Sequence, residues 1–138
     1  MQKSSSFIDG ELSDLEQGRL DPKKFPHREH VRLGFEMLGR YSFPEALARF
    51  SHGLRQLAIN GGRPEAYHET ITAAFLALIG ERRLHDEYAN WEQFSARNAD
   101  LMSKDLLCEW YEPEVLSSNL ARRTFILPKP KIGARSRA

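Results

Sequence analysis

Residues 66–79 read Ala-Tyr-His-Glu-Thr-Ile-Thr-Ala-Ala-Phe-Leu-Ala-Leu-Ile, and this stretch decides the class of the fold. At about 100° per residue, Ile71, Phe75 and Leu78 share one face, while Ala73, Ala74 and Ala77 fill the flank opposite. A segment that is apolar on nearly every side belongs at the centre of a molecule. Its length is that of a helix rather than a strand. Pro64 opens it, and Gly80 with the charged Glu81-Arg82-Arg83 follows it.

Working outward, the preceding segment starts at Ser42-Phe43-Pro44-Glu45, the spacing of a capping box. It carries Leu47, Phe50, Leu54, Leu57 and Ala58 on one stripe and stops at Asn60-Gly61-Gly62, which supplies left-handed conformation. Before it, Pro26 suits the first turn of a helix running to about Tyr41. A first helix over residues 6–17 carries Phe7, Ile8, Leu12 and Leu15, with Gly10 in its middle. Downstream, Asn90 with Gln93 caps a helix starting at Trp91. Asn98 opens another through Leu101, Leu106 and Leu107 to Tyr111. A short helix at 119–123 leads to Phe125-Ile126-Leu127, an apolar clasp. With no strand pattern of comparable length, the expectation is all-α, an irregular bundle of five or six helices. Residues 1–6 read as a disordered leader, 7–127 as one helical domain and 128–138 as a flexible basic tail.

Composition agrees with one domain. The 138 residues are 41% hydrophobic and 28% charged, within the globular range, and a chain of this length buries enough surface to need no staples. Cys108 is the one cysteine, which excludes an intrachain disulfide and a Cys-rich zinc module. A reducing cytosol is the expected setting. Neither a secretory leader nor a run of about 20 apolar residues is present. Lysine and arginine number 20 against 19 acids. The segment from Pro128 holds Lys129, Lys131, Arg135 and Arg137, and without these four the balance is 16 against 19. A body of that sign lacks the basic footprint of a nucleic-acid binder.

The chain has five histidines, and the helical wheel sorts them. His27 sits close to the centre of the stripe formed by Val31, Gly34, Leu38 and Tyr41, and His30 lies about 60° to one side. Arg28, Glu29, Arg32 and Glu36 occupy the opposite face. Tyr67 and His68 fall within the arc of Ile71, Phe75 and Leu78. His52 and His85 fall on polar surfaces. Three inward imidazoles near two helix starts suit a divalent metal, because a helix N-terminus favours the neutral ring. His27, His30 and His68 are therefore the candidate ligands for zinc, iron or nickel. Tyr67 and Glu69 are the candidates to handle a proton, Glu69 only if its helix is buried on both sides.

Phe25-Pro26-His27-Arg28-Glu29-His30-Val31-Arg32, then Gly62, Tyr67-His68-Glu69-Thr70-Ile71-Thr72, Trp110-Tyr111 and Leu127-Pro128 resemble an uncharacterised bacterial family of short all-helical proteins. The resemblance spans about residues 10–128 and implies a small cytosolic helical protein; it implies no activity. More distantly, the pattern is similar to damage-inducible-type helical bundles that hold a metal through three histidines, a likeness of fold that does not transfer function.

Other chemistry is sparse. Cys108, between Leu107 and Glu109 on an expected helix, reads as a buried inert thiol. Gly61-Gly62 follows a helix rather than a strand, so it is a cap and not a phosphate cradle. Trp91, Phe94, Trp110 and Tyr111 read as core, with exposed members available for a homodimer face or a pocket wall. Two functional expectations follow: a His-lined pocket for a divalent metal or small molecule, or a metal-free binding or interaction module whose histidines are structural.

Overall fold

Short polar side chains set most of the helix borders. Ser4 caps α1 (Ser5–Glu16), its Oγ accepting from the Phe7 N–H at 3.2 Å. That cap brings Ser5 and Ser6 into the helix, so the expected leader over 1–6 is too long. Helix α2 (His27–Arg40) starts after Pro26, and α3 (Phe43–Asn60) after Ser42. The Ser42 side chain makes no capping bond. Glu45 instead pairs with Arg49 at 2.9 Å, so the expected reciprocal box does not form. Gly62, at φ 77°, is the left-handed residue beyond α3. A 3-10 turn at Pro64–Ala66 separates α3 from α4 (Glu69–His85), which starts later than Pro64 suggested because His68 is its cap.

Asn90 caps α5 (Trp91–Arg97): its Oδ1 accepts from the Gln93 N–H, and Gln93 Oε1 accepts from the Ala89 N–H. The helix expected from Asn98 to Tyr111 is absent. Two 3-10 segments, Ala99–Met102 and Lys104–Glu109, take its place. Asn98 turns its amide back to the Phe94 carbonyl at 2.9 Å, and Ser103 Oγ accepts from the Asp105 N–H, breaking the run in two. Cys108 is exposed on the second segment, correcting its expected burial. Helices α6 (Pro113–Leu116) and α7 (Asn119–Arg123) close the order. The computed structural model describes residues 3–129. Lys131, Arg135 and Arg137 of the basic end lie outside the described residues.

The molecule is an all-α bundle, with no strand among the described residues. Helix α4 lies in the middle, touching α2, α3 and α7. Helix α2 feeds two apolar clusters. Val31 and Phe35 join Phe75, Ile79, Trp91 and Phe94 on one side. Leu33 and Met37 join α1, α3 and Leu76 on the other. Two glycines allow close crossings. A Cβ on Gly34 would stand 3.2 Å from both Leu76 and Ile79, and one on Gly53 would stand 2.7 Å from the Leu15 carbonyl oxygen. Arg32, placed by the wheel on the polar face, is 5% exposed, because α1 packs over it and supplies Glu11 as a partner at 2.6 Å. No described helix is long and apolar enough to cross a membrane.

Candidate functional site

The starts of α2 and α4 come together at one end of the bundle. Between them lies an open cavity of about 470 Å³, and His27, His30, Tyr67 and His68 all border it. Its apolar walls are Phe25, Leu54, Leu57, Ile71 and Phe75. Arg63, after α3, and Lys104, on the second 3-10 segment, also border it. A narrower space of about 50 Å³ reaches from His27 and His30 towards Phe50, Leu76 and Ile79.

Two of the three imidazoles are oriented by a backbone carbonyl. His27 Nε2 lies 2.9 Å from the Leu101 oxygen; a carbonyl only accepts, so Nε2 carries a proton. His27 also meets Phe75 edge to face, with ring centroids 4.8 Å apart. His30 lies against the Phe25 ring, with ring centroids 4.3 Å apart. Burial, with His27 and Lys104 nearby, pushes its pKa down to about 4, so it is neutral at pH 7. His68, 8% exposed, uses both nitrogens. Nδ1 accepts from the Ile71 N–H at 3.1 Å, capping α4, and Nε2–H donates to the Leu116 carbonyl at 2.7 Å. Burial lowers its pKa as well.

These bonds bear on the metal expectation. His27, His30 and His68 share one cavity, with His27 and His68 turned to two different carbonyls. The ring centroids of His27 and His30 are 6.4 Å apart. Ligation by His68 would require giving up either the cap of α4 or the tie to Leu116. Among the described residues no group of three or more His, Cys, Asp or Glu side chains is placed to hold a metal ion.

Glu69 is not among the residues that border the cavity. Its Oε1 accepts from the Tyr67 hydroxyl at 2.7 Å and from Arg55 at 3.0 Å, and the Arg55 guanidinium stacks 4.4 Å above the Tyr67 ring. Burial, then the bond to Glu69, raises the Tyr67 pKa to about 12, so the phenol keeps its proton. Tyr67, Glu69 and Arg55 thus hold one another through two hydrogen bonds and a stacked guanidinium. His52 and His85 are exposed, as the wheel placed them. The sequence reading missed Arg63 and Lys104. Nothing in their spacing marks them, since both reach the cavity from segments outside the two histidine helices. Compared with protein-family models, curated proteins and solved structures, the chain matches none.

Proposed function

We propose that this protein is a metal-free binding module that takes a small, ring-containing organic molecule in the cavity between α2, α3 and the start of α4. The observation that carries the reading is the lining itself. A concave site of a few hundred Å³ with mostly apolar walls and a few oriented polar groups is the usual form of a small-molecule site. Here the polar groups include the imidazoles of His27 and His68, each held by a backbone carbonyl, so little ordering remains to be done on binding. Aromatic walls from Phe25 and Phe75 favour a flat ligand. The single free thiol suits a reducing cytosol.

The test uses 2-naphthol, a neutral two-ring probe, followed by its own fluorescence. Saturable one-to-one binding is expected, lost when Ala58, on the cavity wall, is changed to tryptophan. Ala58→Trp should fold normally, because filling an open cavity removes no core contact. Absence of saturable binding, or equal binding to Ala58→Trp, would overturn the reading.

A further inference from the structure

Charge around the cavity is one-sided. Arg63 and Lys104 border it, and none of the described residues bordering it is an aspartate or glutamate. Lys104 forms no ion pair among the described residues. Arg63 has only Glu65, at 3.7 Å, with both side chains more than 70% exposed. Such a loose, solvated pair leaves most of the guanidinium charge available. Other arginines are closely matched, Arg32 to Glu11 and Glu29, Arg49 to Glu16 and Glu45, Arg82 to Asp100. The cations that border the apolar cavity are not: both are weakly matched, and no acid lines it to offset them.

The imidazoles add a second selection. In its neutral form an imidazole has one donor and one acceptor, and on His27 the donor faces the Leu101 carbonyl. What the neutral ring can still offer a ligand is a lone pair. Such a group accepts from a hydroxyl or N–H and does not attract a carboxylate. Negative charge on a ligand is therefore recognised by the cations, and a hydroxyl by His27.

We propose that the ligand class is a flat aromatic anion carrying a ring hydroxyl, its anionic group at Lys104 and Arg63 and its hydroxyl donating to His27. This rests on the small-molecule reading above and sharpens it. Three probes separate the two: 2-naphthol, 2-naphthoate and 6-hydroxy-2-naphthoate. The hydroxy acid should bind about tenfold more tightly than 2-naphthol and a few-fold more tightly than 2-naphthoate. Lys104→Met with Arg63→Met should erase most of the advantage over 2-naphthol while leaving 2-naphthol affinity in place. Both side chains are exposed, so the variants fold. Raised salt should shrink the same advantage. If 2-naphthol binds and the hydroxy acid binds no better, or if the double variant keeps the full preference, the anion assignment is overturned while the cavity reading survives. If none of the three binds, both fall.

Discussion

His68 makes two hydrogen bonds whose values separate by substitution. His68→Ala loses the cap on Ile71 and leaves the Leu116 carbonyl without its donor. A lost cap costs about 1 kcal/mol and a stranded carbonyl about 1–3 kcal/mol. Asparagine is a good cap but too short to serve Leu116. His68→Asn should therefore recover roughly 1 kcal/mol of the alanine loss in urea denaturation. Because both ring nitrogens are engaged, zinc or nickel should leave the wild-type melting temperature unchanged. A rise that vanishes in His68→Ala would show that the ring leaves Leu116 for a metal. His30 gives a pH dependence. Its folded pKa, about 4, lies below the unfolded value of about 6.5. Between these values the unfolded chain holds a proton that the native chain does not, so stability is full above pH 6.5 and falls as pH drops towards 4. The loss from this group approaches about 3 kcal/mol by pH 4, and His30→Phe should flatten that part of the curve.

At the scale of elements, the ion pairs beneath α1 do what the apolar stripe alone does not. Arg32 donates to both oxygens of Glu11, at 3.0 and 2.6 Å, and also binds Glu29. With Arg32→Met the two carboxylates would lose their shared buried cation and keep only the half-exposed Lys3, 3.1 Å from Glu11, at a cost of about 1–3 kcal/mol. Hydrogen exchange should quicken in α1 while the central α4 amides stay protected. The sequence shows Arg32 on a wheel but not the helix that covers it, which is why its burial was not legible. Helices α2, α3 and α5 were legible, since long stripes and terminal signals agree there. The stretch 98–111 was misread because Leu101, Leu106 and Leu107 mark burial without fixing the backbone. The competing side-chain bonds of Asn98 and Ser103 decide for 3-10 geometry.

At the scale of the molecule, the cavity exists because α2 and α4 begin at the same end, a relation that no local pattern encodes. The wheel pointed His27, His30 and His68 inward. It could not supply the partners of two of these rings, the carbonyls of Leu101 and Leu116, which come from more than 45 residues further along the chain. The C-terminal segment ties the same end of α4. Thr70 Oγ1 donates to the Thr124 carbonyl at 2.7 Å and accepts from the Ile126 N–H at 3.1 Å, and the Tyr111 hydroxyl donates to the Ile126 carbonyl at 2.7 Å. Ile126 packs on the core, whereas Phe125 and Leu127 are 42% and 76% exposed, so the expected three-residue clasp is one residue deep. Truncation after Arg123 would leave fully buried Thr70 and the Tyr111 hydroxyl without partners and remove Ile126 from its cluster. The loss should reach about 2–4 kcal/mol, a fall in Tm on the order of 10 °C. Truncation after Pro128 removes none of these bonds and should leave Tm within about 2 °C of the full chain. An equal fall in both truncations would show that the basic end, rather than the Thr70–Ile126 tie, holds the C-terminal segment to α4.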